Sequence, residues 1–193
     1  MQPTRHSASS LPVLRRGAVG GMIAAMVMAM FAMIASVTYQ HHGFFTPLFH
    51  ISALFGSPKS MMISVAQAMV GHRLWFAAGP AVVGLMIHMI TGAAYGMGFA
   101  MLARRIPKSA LLPAGAVFGV GVLLVSGLVG LPLAAKITGS GATISDMATM
   151  VGWGTFAAEH IMFGVVVALA TMRNVAAAAP VAGGRTVRPA MLS

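Results

Sequence analysis

Polar residues along this chain sit almost entirely in the gaps between long apolar runs. Four runs, at about 17–39, 79–102, 110–135 and 151–172, reach the ~20 apolar residues that an α-helix needs to cross a bilayer. None has the strict alternation of a half-buried strand. The pattern predicts an all-α, polytopic membrane protein with four transmembrane helices. Pro80, Pro113 and Pro132 fall near the ends of runs, where a missing backbone N–H costs little. The transmembrane domain therefore covers 17–172, between an N-terminal tail, 1–16, and a C-terminal tail, 173–193. The latter is rich in Ala, Pro, Gly and Arg, and is expected to be mobile and drawn to anionic lipid.

Composition supports this reading. Hydrophobic residues make up 58% of the chain and charged residues 7%, against roughly 25% charged in soluble domains, so a water-facing surface cannot be built. The formal charge of +10, from 12 Lys and Arg against 2 acids, would suggest nucleic acid in a soluble protein. Here the cations punctuate apolar runs without forming a stripe, so the expected partner is the lipid bilayer and not a nucleic acid. Nine of them (Arg5, Arg15, Arg16, Arg104, Arg105, Lys108, Arg173, Arg185, Arg188) fall in alternate gaps and the tails, against three (Lys59, Arg73, Lys136) in the other gaps. That asymmetry puts both termini in the cytoplasm. A cleaved signal peptide is the competing reading of the first 36 residues, but the apolar run exceeds the ~7–15 residues of such segments and no small-x-small site closes it. The absence of Cys excludes disulfides and thiolate metal sites.

The loop at 40–78 opens with TYQHHGFFTPLFH, where Tyr39, Phe44, Phe45 and Phe49 are expected to form part of an aromatic belt at headgroup depth. Interrupted by Pro47 and Gly56, residues 43–56 are expected to lie along the interface or dip into the bundle. Residues 60–76 predict a second interfacial helix leading to Trp75. GSGAT at Gly139 reads as a turn between helices.

A parallel two-hairpin repeat is visible. Arg15-Arg16 precedes GAVGG at Gly17, Arg104-Arg105 precedes GAVFG at Gly115, and each half ends in a helix with His-x-x-x-Gly, at His88-Gly92 and His160-Gly164. Steps of four give Gly84, His88, Gly92 and Gly96 on one helix, and Gly152, Phe156, His160, Gly164 and Ala168 on another. Small residues on one face let helices approach closely in lipid, so Gly84, Gly92, Gly96 and Gly164 are packing positions, self-association into a homo-oligomer is an expectation, and both imidazoles are expected to point inward.

Glu159 is the one acid within a predicted span. A carboxyl at that depth either finds a partner or keeps its proton, and His88 is the expected partner. Six histidines, His41, His42, His50, His72, His88 and His160, fall on the outer side or at outer-half depth. Glu159, His88, His160, His50, His42 and His41 are thus the candidates for binding a proton or ion, with His88 and His160 the metal candidates. Simple interhelical hydrogen bonding is the alternative role for the two embedded imidazoles. Met22, Met26 and Met30 share a helix face, where thioethers could pass Cu(I) or merely fill space. With no GxxxxGK[ST], HExxH or GxSxG and only 2 acids, the chain does not read as an enzyme.

The blocks TYQHHGFFTPLFHIS, GPAVVGLMIHMITGAAYG and MVGWGTFAAEHIMFG resemble those of a group of small bacterial inner-membrane proteins with four predicted helices. The resemblance implies a bacterial inner-membrane location and a four-helix fold, and carries over no site residue. The functional expectation is a transport or sensing protein that binds protons or a metal ion through its intramembrane Glu and His. The alternatives are a haem b electron-transfer subunit with His88 and His160 as axial ligands, and a purely structural or assembly role.

Overall fold

The computed structural model describes residues 11–177. His6, Arg5, Arg185, Arg188 and most of the C-terminal tail lie outside the described residues. Four helices are long and apolar enough to cross a membrane: Leu11–Thr38, Ala78–Ala103, Lys108–Thr138 and Trp153–Arg173. The described chain is all-α, a multi-pass membrane protein. Helix α1 is Leu11–Thr38, followed by short α2 (Thr46–Ser52) and α3 (Lys59–Met69), then α4 (Ala78–Ala103). The third span is composite: a 3₁₀ turn at Lys108–Ala110, α5 (Leu111–Val125), a π-helical segment at Ser126–Gly130, and α6 (Leu131–Thr138). After α7 (Ala142–Ser145) and α8 (Met147–Val151), α9 (Trp153–Ala177) is the last described element.

Helix α1 begins before the apolar run: Pro12 fits a first helical turn, and Leu and Arg favour helix, so Arg15 and Arg16 are carried on the helix and not in a tail. Exposed Arg15, Arg16, Arg104, Arg105, Lys108 and Arg173 mark one end of the bundle, the basic end; Lys59, Arg73 and Lys136 mark the other, the histidine-rich end.

Two tight pairs make the bundle, α1 with α4 and α5 with α9, and α1 also packs on α9. In both pairs glycine brings backbone onto backbone. A methyl added at Gly21 would fall on the carbonyl oxygen of Gly92, and one at Gly96 on that of Gly17. In the second pair Gly164 faces Gly115 and Gly119, and Gly115 also meets the Ala168 methyl. The contacts correspond: Gly17 with Gly96 and Ala100 matches Gly115 with Gly164 and Ala168, and Gly21 with Gly92 matches Gly119 with His160. The two hairpins thus pack as a parallel repeat whose second helices are shifted by one turn from the sequence match: Gly164 takes the place of Gly96, and His160 that of Gly92. Gly84 has a different task, seating the Leu48 carbonyl of α2 on α4.

Segment 43–56 dips into the bundle. Phe49, expected at the headgroup belt, is fully buried with Met33, Leu48 and Ala81; it stacks edge-on against Trp75 at 5.5 Å, with Phe45 alongside. Burial of an aromatic on a well-packed helix contributes more than a place at a wet interface. The helix expected at 60–76 ends at Met69, since Gly71 takes φ 92 and turns the chain. Gly139, at φ 73, caps α6 in the left-handed region that other residues avoid. The methionine face at Met22, Met26 and Met30 is exposed, 39%, 45% and 45% respectively, and none of the three lines the cavity described below.

If the glycine contacts set the helix spacing, Gly92→Ala should lower the thermal midpoint in detergent by the equivalent of about 1–3 kcal/mol, because its methyl would lie 2.5 Å from that of Ala25. Gly98, with nothing within 4 Å, is the control: Gly98→Ala should be neutral or stabilising by up to ~1 kcal/mol.

Candidate functional site

With α4 held on α1 and α5 on α9, α4 and α5 touch each other only lightly. They meet toward the basic end, where Phe99 packs on Phe118 at 5.1 Å. Nearer the middle, the hydroxyls of Tyr95 and Ser126 bridge the helices at 3.0 Å. Beyond that bridge the two helices leave a cavity of about 310 Å³. Its walls come from α1 (Ala25, Met28, Ala29, Ala32), α4 (Ile87, His88, Thr91, Tyr95), the third span (Val122, Ser126, Gly130, Leu131) and α9 (Phe156, Glu159, His160, Phe163).

The roof is made by the inserted segments. Leu48, His50 and Ile51 of α2 cover the cavity together with Ile144 and Met147. The His50 Nε2–H donates to the Thr143 carbonyl at 2.6 Å, and Gln40 Nε2 donates to the Val151 carbonyl at 2.9 Å. These bonds tie the connection after α1 to the connection before α9.

Of the six proposed ion-binding residues, Glu159, His160, His88 and His50 line this one cavity. His41 and His42 do not. His41 is exposed and adopts φ 58, a turn position after α1. His42 is half-buried beside it, and burial together with the His41 imidazole holds its pKa below the ordinary value.

Glu159 and His160 are adjacent in sequence, and both are 5% exposed. Neither makes the pairing expected for Glu159. The His88 Nε2–H donates instead to the Ala25 carbonyl at 2.9 Å, where glycine packing of α1 on α4 brings that carbonyl within reach. The His160 Nδ1–H donates to the Phe156 carbonyl one turn earlier, at 2.7 Å. A carbonyl oxygen can only accept, which fixes both tautomers: the neutral rings keep a lone pair on Nδ1 of His88 and on Nε2 of His160. Oε1 of Glu159 is fully buried with no hydrogen-bond partner, the one such side-chain atom among the described residues.

An unpartnered, ionised carboxylate in an apolar surround is strongly disfavoured. The site is therefore completed by a proton or by a cation from outside the chain. No Lys or Arg among the described residues lines the cavity. Among the described residues no three His, Cys, Asp or Glu side chains are grouped to hold a metal ion, so His88 and His160 would offer a metal two imidazoles at most. The space is at the lower bound of the ~300–1,000 Å³ of small-ligand sites, room for a small molecule.

Tyr95, Ser126, Gln40 and Thr143 were not singled out from sequence. Tyr95 is seven residues after His88 and so shares its face, and Ser126 is a lone hydroxyl in an apolar run; those were the available signals. The π-helical turn at Ser126–Gly130 left no signal beyond its glycines, although such turns are frequent at functional sites.

His50 gives the roof a pH dependence. Burial holds its imidazole below the ordinary pKa; the hydrogen bond to Thr143 works in the opposite direction, and nearby His42 adds to the lowering. The folded protein thus binds fewer protons here than the unfolded chain. The His50 contribution is intact above the unfolded value of about 6.5 and is lost as pH falls through and below it. The thermal midpoint should therefore drop between about pH 7.5 and about pH 5.5. His50→Gln, which keeps a donor for Thr143 without a titrating ring, should flatten that drop, as read by thermal denaturation in detergent. No family model, curated protein or solved structure matches this chain.

Proposed function

We propose that this chain is a non-enzymatic transport or sensing protein of a bacterial inner membrane, with both termini in the cytoplasm, whose intramembrane cavity takes up and releases a proton at Glu159. One observation carries the reading: the only acid in the four spans has a fully buried, unpartnered carboxyl oxygen at a cavity. Polar groups at membrane depth are expensive, and a purely structural carboxyl would be hydrogen-bonded. The neutral nitrogens of His88 and His160 that face no partner supply acceptors for a proton or its carrier water. The Tyr95–Ser126 bridge and the Phe99–Phe118 contact close the basic end, so an exchange with both sides of the membrane requires the bridge to open. The metal reading is weaker here, because among the described residues no three donor side chains are grouped.

Infrared spectroscopy of the reconstituted protein tests the carboxyl directly, because the chain has only 2 acids and Asp146 is exposed. A protonated-carboxyl band that titrates with pH should be present in the wild type and absent in Glu159→Gln. A band unchanged by that substitution, or no such band in the wild type, would overturn the proposal. Sidedness is tested separately, and the cysteine-free chain makes this simple. In intact cells an impermeant maleimide should label Ser57→Cys, in the connection between α2 and α3, and spare Ser109→Cys beside Lys108; the reverse pattern would invert the topology.

A further inference from the structure

The cavity is built for more than a proton. A proton on Glu159 needs neither a space of about 310 Å³ nor an opening. The one exposed residue lining the cavity is Thr91 on α4, opposite Ser126, Gly130 and Leu131 of the third span. Thr91 stands at the seam between two spans that touch only lightly, so a way in beside it leads from hydrocarbon and not from the water at either end. The hydroxyl of Thr91 is turned back to the Ile87 carbonyl at 2.9 Å, leaving an apolar threshold. The π-helical turn at Ser126–Gly130 sits at the same place.

The interior specifies the occupant. It has one buried acid without a partner and no built-in cation. Aromatic rings of Tyr95, Phe156 and Phe163 line the apolar wall, with Tyr95 edge-on to Phe163 at 6.5 Å; such faces attract an ammonium group. The free lone pair of His160 adds an acceptor for an N–H. We infer that the cavity binds a primary ammonium group carried on a small apolar body, with Glu159 as its counter-ion, admitted from the membrane between α4 and the π-helical segment. This deepens the proposed function and rests on its reading of Glu159. A neutral amine dissolved in hydrocarbon can take the carboxyl proton on arrival: the O–H bond breaks as an N–H bond forms, and an ammonium carboxylate pair results with no net charge crossing the threshold. The same chemistry is offered by a free amine and by an aminophospholipid headgroup.

The test uses the full chain in nanodiscs of phosphatidylcholine alone, titrated with 2-phenylethylamine and, in parallel, with 2-phenylethanol. Tryptophan emission is the readout, since Trp153 packs edge-on against Phe156 at 6.1 Å. The amine should bind saturably and at least about tenfold tighter than the alcohol, the equivalent of one charge-assisted contact. Glu159→Gln should weaken the amine by a similar factor and leave the alcohol unchanged. Equal binding of amine and alcohol by the wild type would overturn the inference, whatever the folding of the variant. So would undiminished amine binding by a folded Glu159→Gln protein. Repeating the titration in discs containing phosphatidylethanolamine assigns the source: weaker apparent amine binding identifies the lipid headgroup as the natural competitor, and unchanged binding identifies a free amine. If the carboxyl band titrates but no amine binds, this inference fails while the proton reading stands; if neither is seen, both fail.

Discussion

Backbone-to-backbone approach at glycine is the constraint from which the architecture follows. In hydrocarbon no hydrophobic gain drives one helix onto another; close packing and weak Cα–H···O contacts across a smooth face do. Gly17, Gly21, Gly92 and Gly96 provide that face for α1 and α4, and Gly115, Gly119 and Gly164 for α5 and α9. Two pairs held this closely, joined through α1 and α9, cannot also close the remaining side. The cavity is the geometric remainder of two tight hairpins, and α2 roofs it because Gly84 gives the Leu48 carbonyl a seat on α4.

The same solvent explains how the polar groups are treated. Thr91, Thr138 and Thr171 each bond the carbonyl four residues earlier, and His160 does the same with a ring nitrogen. His88 reaches the neighbouring helix. Each is the least costly way to carry a polar side chain through lipid. Against that uniform treatment, the orphaned oxygen of Glu159 stands out as a group that the chain leaves unsatisfied, on a residue that lines the cavity.

Spans, the glycine faces and the inward placement of His88, His160 and Glu159 were legible because each rests on a local rule: length of apolar run, spacing of four, rarity of acids in lipid. What escaped the sequence depends on contacts between distant segments. The expected pairing of Glu159 with His88 fails because the glycine interface delivers the Ala25 carbonyl to His88 first. Phe49 was misplaced because a short helix with Pro47 looks the same whether it lies on the interface or turns inward, and only the seat at Gly84 decides. The neighbouring histidines 41, 42 and 50 looked like one cluster; a left-handed turn at His41 separates them, and only His50 reaches the roof. The π-helical turn has no propensity signature, since its cost is met by tertiary contacts such as the Tyr95 hydroxyl on Ser126.

The repeat also shows where chemistry was added to a symmetrical frame. Matching the hairpins through their glycine contacts places His88 opposite Phe156, Thr91 opposite Glu159, Gly92 opposite His160, Tyr95 opposite Phe163, Met28 opposite Ser126 and Ala32 opposite Gly130, and all twelve residues line the cavity. The two halves therefore present the same positions to the same space, about an axis along the membrane normal. Their contents differ: the second half has the Glu159 carboxyl where the first has the Thr91 hydroxyl, the His160 imidazole where the first has Gly92 and the Ser126 hydroxyl where the first has Met28, while the first half has His88 where the second has Phe156. A single charge in such a cavity has a defined direction, which a symmetrical pair of carboxyls would lack. The longer inserted loop of the first half, carrying α2 and α3, then covers the shared space from one end only, so the asymmetry of the lid follows the asymmetry of the wall.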